Sequence, residues 1–202
     1  EAARAEQELA AERAARARAD ESSARAAYAS LSALQRDYEG YGRAVRALLT
    51  SDEWRRAGLL GAVGELVRAP REYERAIEAA LGPAVQNIIA STSSVAEKAI
   101  SFLKASRAGR ATFLPLDILH PSPIPSSEIP AAARGVIGLA SELAESAPQH
   151  RKAVDYLLGR VLVVQDLRRG VALIRSGVRL RMVTLDGDQI SAGGAMTGGE
   201  AA

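Results

Sequence analysis

The sequence predicts an α/β (α+β) fold: a long N-terminal helix, then two related subdomains in which short apolar runs alternate with amphipathic helices. Three observations carry this. Apolar residues recur at spacings of three and four from Ala24 to Leu48, the pattern of a coiled-coil seam. After Trp54 the pattern changes to short Val/Ile/Leu runs bounded by Gly, Ser and Pro, which read as buried strands. Finally, AIEAALG at residues 76–82 returns as AVDYLLG at 153–159, each time followed by a strand, a helix and a further strand ending in Asp.

The seam residues are Ala24, Ala27, Leu31, Leu34, Tyr38, Tyr41, Val45 and Leu48, while Glu6, Arg13 and Asp20 interrupt the same stripe nearer Glu1. A helix of about 45 residues spans roughly 70 Å, more than a small domain can cover, so residues 1–55 are expected to form a coiled-coil arm. Gly40 and Gly42 mark a joint near its end. In the first subdomain, residues 56–119, GAVGELV (Gly61 to Val67) reads as a strand, and Pro70 opens a helix with Tyr73, Ile77 and Leu81 on one face until Gly82. VQNIIAS reads as the next strand. Ser94 with Glu97 forms a capping box for a helix through Ile100 and Leu103, and RATFLPL follows as a strand. Residues 120–130 hold four of the eight prolines and read as a linker. The second subdomain, residues 131–202, repeats the scheme with RVLVVQD, RRGVALIRSG and RLRMVTLD.

Composition excludes several functions. The 202 residues include no cysteine and two isolated histidines, His120 and His150, so neither a disulfide nor a zinc site is expected, nor any cofactor. His120 beside a proline and His150 near a helix start read as solvated surface. No run reaches the roughly 18 apolar residues of a membrane span. No initiator methionine or signal pattern stands at Glu1, which reads as a piece of a cytosolic protein. Net charge is +2, yet residues 151–181 carry Arg151, Lys152, Arg160, Arg168, Arg169, Arg175, Arg179 and Arg181 against only Asp155 and Asp166. A smaller basic group comprises Lys98, Lys104, Arg107 and Arg110.

The most unusual stretch is VTLDGDQISAGGAMTGG, Val183 to Gly199. A nucleotide-binding α/β enzyme domain would use such glycines as a ligand cradle. A phosphate loop, however, needs a lysine and hydroxyl after its second glycine and a helix to follow, and this segment has neither. Asp186 and Asp188 flank Gly187 and suit a hairpin turn better than acid–base chemistry. Two readings remain: a flexible tail leading out of the domain, or close approach of backbone, since a strand bearing glycine pairs keeps no side chain between itself and another chain.

The stretches GLLGAVGELV, YERAIEAALGPAVQNIIAS, GRATFLPLDIL, GLASEL, LLGRVLVVQDL and VTLDGDQISAGGAMTGG resemble the hinge domain of bacterial-type structural maintenance of chromosomes (SMC) proteins. They cover most of residues 58–199. The resemblance implies a hinge of two similar subdomains, closing with a second copy into a ring-shaped dimer through the glycine-rich segment. Carried over, this puts Gly187, Gly193, Gly194, Gly198 and Gly199 at or near the interface. The helix before the hinge looks like the end of the ascending arm, and the returning arm is expected after Gly199. The resemblance also implies weak, sequence-independent DNA binding, for which Lys98, Lys104, Arg107, Arg110, Arg151, Lys152, Arg168 and Arg169 are candidates. The family's ATPase lies in distant head domains, so no catalysis is expected here, and the location implied is cytoplasmic and nucleoid-associated.

Overall fold

The computed structural model describes residues 41–125, 129 and 135–199. The chain divides into two compact units, Glu1–Tyr41 and Gly42–Ala202, and the second holds the fold below. The seam positions Ala24, Ala27, Leu31, Leu34 and Tyr38 lie outside the described residues.

No single helix runs to residue 55. Gly42 is extended (φ −60°, ψ 153°), and two short helices follow, α1 (Arg43–Leu49) and α2 (Asp52–Ala57). Ala44, Val45, Leu48 and Leu49 are buried in the globular unit. Val45 and Leu48 are therefore core residues of this unit rather than the end of a coiled-coil stripe. The spacing of three and four is the same whether a helix pairs with another or lies over a domain, which is why sequence could not separate the two.

Next come β1 (Leu59–Ala62), α3 (Val63–Leu66), β2 (Val67–Arg68), α4 (Glu74–Leu81), β3 (Ile88–Ala90), α5 (Ser93–Ser106) and β4 (Phe113–Pro115). The run GAVGELV is thus not one strand. The Glu65 carboxylate accepts the Ala62 N–H at 3.1 Å and holds a single helical turn between β1 and β2. Pro70 precedes its helix by a turn, accepting from the Tyr73 N–H at 2.8 Å. VQNIIAS gives a strand over its Ile88–Ala90 portion, because Gly82 (φ 50°) turns the chain into a 3-10 segment, Gly82–Gln86. The cap of α5 is Thr92, whose hydroxyl accepts the Val95 N–H. Ser93 instead donates both its N–H (2.8 Å) and its hydroxyl (2.9 Å) to Asp117. Leu103 is buried as expected, but Ile100 is 39% exposed.

The second half contains β5 (Val136–Leu139), α6 (Ala140–Leu143), β6 (Glu145–Ser146), α7 (Arg151–Leu158), β7 (Val161–Val164), α8 (Leu167–Arg175), β8 (Arg181–Thr184), β9 (Gln189–Ile190) and β10 (Met196–Thr197). The duplication read from sequence recurs in the strand pairing. In the first sheet β1 is antiparallel to β3 and β3 parallel to β4; in the second β5 is antiparallel to β7 and β7 parallel to β8. Even the irregularity repeats: the register slips between Leu59 and Gly61 and again between Val136 and Gly138. Only the second half continues, through β9 to β10, giving the order β10-β9-β8-β7-β5 beside the first half's β1-β3-β4.

A two-stranded ribbon ties the halves, with Val67 opposite Ser146 and Arg68 opposite Glu145. One apolar cluster spans both, with Ile77, Ala80 and Leu81 of α4 joining Val154 and Leu158 of α7, together with Ile89, Val163 and Val183 from the strands. Each such Leu or Ile removed from water contributes about 1.5–3 kcal/mol. The start of the linker is also fixed: Ile124 is buried and donates its N–H to the Gly159 carbonyl at 2.9 Å.

Candidate dimer interface and basic surface

The glycine-rich segment is built as two consecutive tight turns. In the first, between β8 and β9, the Gly187 N–H donates to the Thr184 carbonyl at 3.1 Å, and the Asp188 N–H donates to the Thr184 hydroxyl at 3.0 Å. Gly187 has φ 95°, a left-handed conformation that costs other residues steric strain. The aspartates beside it do turn duty. A Cβ on Gly187 would stand 3.6 Å from the Arg75 carbonyl oxygen and 3.7 Å from the Ala79 Cβ, so this tip rests on α4 of its own chain. Beside it, the half-buried Arg181 guanidinium donates to the Ala79 carbonyl (3.1 Å) and the Gln189 amide oxygen (2.9 Å). Burial pushes its pKa down, yet from so high a starting value that it stays charged.

In the second turn the Ser191 N–H donates to the Ala195 carbonyl at 2.8 Å and the Ala195 N–H to the Ser191 hydroxyl at 3.0 Å. From Ser191 to Gly199 the chain is exposed apart from the half-buried Gly194, and Met196 is 60% exposed. The glycines here differ in kind. At Gly198 a Cβ would overlap the Asp188 carboxylate, whereas Gly193 meets nothing nearer than the Ser191 hydroxyl oxygen at 3.9 Å and Gly199 nothing within 4 Å. Gly198 serves close approach within the chain; Gly193 and Gly199 have open space before them. The β10 strand they border is the end strand of its sheet, as β4 is of the other. Two of the exposed large apolar side chains are Ile100 on α5 and Ile118 after β4, the latter 57% exposed.

The basic candidates fall into separate groups. Lys98 and Lys104 lie exposed on α5, and Arg107 and Arg110 on the loop leading to β4. Arg107 takes φ 52°, and its carbonyl and that of Ala108 receive the Arg43 guanidinium at 3.1 and 3.4 Å, leaving its own side chain outside that contact. In the second half Arg151 pairs with Asp155 at 2.9 Å, and the Lys152 ammonium donates to the Leu116 carbonyl at 2.5 Å. The Arg169 stem lies where a Cβ on Gly135 would be. Arg168 edges a groove on α8. The charge surplus of residues 151–181 is therefore spread over different contacts rather than gathered in one patch.

His150 is not solvated. It is 6% exposed, its Nδ1 is buried without a partner among the described residues, and desolvation lowers its pKa. Asp117 is shifted down as well, first by the hydrogen bond from the Ser93 backbone. Among the described residues no group of His, Asp and Glu could hold a metal ion, and no helix is long and apolar enough to cross a membrane. Two open grooves are lined by residues of α8 and by Gly42, Val45, Pro83, Ala84, Gln86, Asn87, Arg110, Ala111 and Thr112. Neither includes a glycine from 187–199, so neither supports the ligand-cradle reading of that segment.

Sequence reasoning missed the Arg181 and Lys152 contacts to main-chain carbonyls, since nothing in a sequence announces a carbonyl acceptor. It also missed Thr92, although Thr followed by a helical run is a cap signal in its own right.

These features define a duplicated α/β domain whose five-stranded sheet ends in a strand bordered by glycines. Residues 56–174 match the family described as SMC proteins Flexible Hinge Domain. The chain is 41% identical over 172 residues to the chromosome partition protein Smc of Bacillus subtilis (strain 168), covering 84% of this chain and 14% of that protein. To the protein of the same name in Desulfitobacterium hafniense (strain Y51) it is 39% identical over 178 residues, 86% of this chain and 15% of that one. Among solved structures, an asymmetric dimer of the Geobacillus stearothermophilus SMC hinge domain superposes with a TM-score of 0.84 at 42% identity, covering 93% of this chain and 77% of that one. The Pyrococcus furiosus SMC protein hinge domain gives 0.62 at 33% identity, covering 82% of this chain and 84% of that one. The chain belongs to the SMC hinge domain family, and spans about one seventh of the length of those curated relatives.

Proposed function

We propose that this hinge joins two copies of its parent chain, through two equivalent contacts in which β10 of each copy adds to β4 of the other. The observation that carries this is the exposed, glycine-bordered end strand β10. Four end strands are available, but β1 and β5 each carry a register slip, and bulged strands twist away from regular pairing. That leaves β10 and β4. Joining them extends a five-stranded sheet by a three-stranded one, and doing so twice closes a ring that leaves only the irregular β1 and β5 as end strands of these sheets. Such pairing would also cover part of Met196, which is 60% exposed in the single chain. The relative whose printed description names a dimer, from Geobacillus stearothermophilus, supports self-association. In this reading the interface glycines are Gly193, Gly194, Gly198 and Gly199, while Gly187 sets the hairpin on its own chain.

The parent protein acts in chromosome partition, as its relatives' names indicate, in the cytoplasm at the nucleoid, and the hinge itself catalyses nothing. Its DNA contact is weak and indifferent to sequence, made by Lys98, Lys104, Arg107 and Arg110, whose charged ends are exposed. Arg151 and Lys152 contribute less because intrachain contacts occupy them. Replacing Gly193 by Glu tests the interface, since that position has room within the chain. The variant should keep its circular dichroism and fall to monomer mass; a folded G193E dimer would remove Gly193 from the interface.

A further inference from the structure

We infer that α8 carries a docking groove for an acidic amphipathic helix of another protein. Leu167, Arg168, Val171, Ala172 and Arg175 line a groove of about 470 Å³. Their spacing puts all five on one helical face. The duplication supplies an internal comparison. Thr92 caps α5 as Asp166 caps α8, and aligning these caps matches buried Ala96 with Gly170 and buried Ala99 with Leu173. The positions of α5 that then match the groove are Ser93, Ser94, Glu97, Lys98 and Ser101. The face is wholly polar in one half and apolar-floored in the other, so the groove is not a by-product of the shared fold.

The lining selects the occupant. Leu167 and Val171 pack on the second-half core yet stay half-exposed, and Ala172 is exposed, giving an apolar strip. Arg168 and Arg175 are exposed at its borders, and no hydrogen bond or ion pair to the described residues engages either guanidinium. A small ligand is disfavoured because, among the described residues, one helix supplies the lining and no polar groups converge. A DNA backbone would meet the arginines but has no use for the strip between them. A helix with Leu or Ile at spacings of three and four and Glu or Asp beside them satisfies both. From Leu167 to Arg175 the strip runs roughly 12 Å, about two turns of a docked helix.

The test is fluorescence anisotropy of the intact chain with a labelled peptide of about 18 residues, its apolar stripe of Leu flanked by Glu, and a second peptide flanked by Lys. The Glu peptide should bind and the Lys peptide should not. Arg168→Glu with Arg175→Glu should weaken the Glu peptide about tenfold or more and admit the Lys peptide. Ala172→Glu, at an exposed position that leaves the core intact, should also weaken the Glu peptide. Failure of the Glu peptide to bind at about 1 mM, equal binding of both peptides, or indifference to Ala172→Glu would overturn the inference. So would loss of duplex DNA binding in the double variant with peptide binding unchanged, which makes the face a nucleic-acid surface. A change of oligomeric mass in Ala172→Glu would assign the groove to a second copy and likewise overturn it.

Discussion

The Arg181 guanidinium donates to the main-chain carbonyl of Ala79, 102 positions earlier in the chain. It reaches from the first residue of β8 to α4, across the two halves, and its second bond to Gln189 holds the start of β9. The hairpin that leads to β10 is thereby referenced to the opposite half.

Replacing Arg181 by Met keeps the stem and removes both bonds. Hydrogen bonds from a charged donor contribute about 1.5–3 kcal/mol each when buried, and partial exposure here reduces that. A loss of about 2 kcal/mol in urea unfolding is expected, together with a weaker dimer because the hairpin is less well held. Arg181→Lys should recover only part of either effect, since an ammonium cannot present the same fork.

The two matching helix caps should differ in strength. Asp166 accepts the Arg169 N–H at 2.8 Å, whereas Thr92 accepts the Val95 N–H at 3.4 Å. Asp166 also brings negative charge to a helix N-terminus. Asp166→Ala should cost about 1–2 kcal/mol and Thr92→Ala about 0.5–1 kcal/mol. Equal losses in denaturant titration would contradict the geometry.

His150 makes stability depend on pH in a definite direction. Its pKa is lowered by burial in the folded chain, so the unfolded chain takes up the proton first. Stability is complete above the ordinary histidine value of about 6.5 and declines as pH falls below it. His150→Phe should flatten the dependence of the melting temperature on pH between about 7.5 and 5.5.

Charge reversal at Lys98, Lys104, Arg107 and Arg110 should lower DNA affinity and flatten its salt dependence, because fewer counterions are released per binding event. Reversal at Arg151 and Lys152 should change DNA binding less but reduce stability, as it breaks the contacts to Asp155 and Leu116. The opposite ranking, in titrations at low salt, would move the DNA surface to the second half.

The duplication was the most legible feature of the sequence because it left matching letters: AIEAALG and AVDYLLG become α4 and α7. The Asp186–Gly187 turn was legible because its backbone demands a residue free to take positive φ. Val45 and Leu48 were misassigned because one periodicity serves two packing partners. GAVGELV hid a helical turn because a four-residue helix is too short to show a period, and only the Glu65 bond to Ala62 reveals it. His150 was misjudged for a related reason: burial depends on what the fold brings over a residue, not on its neighbours in sequence. The division of the glycines into those packed within the chain and those facing open space likewise needed the structure.

Molar mass in solution tests the central claim most directly. Light scattering on the eluted chain at micromolar concentration should give twice the 21.3 kDa of one copy, falling to a single copy in folded G193E. A wild-type chain that runs as a 21.3 kDa monomer under those conditions would contradict the account.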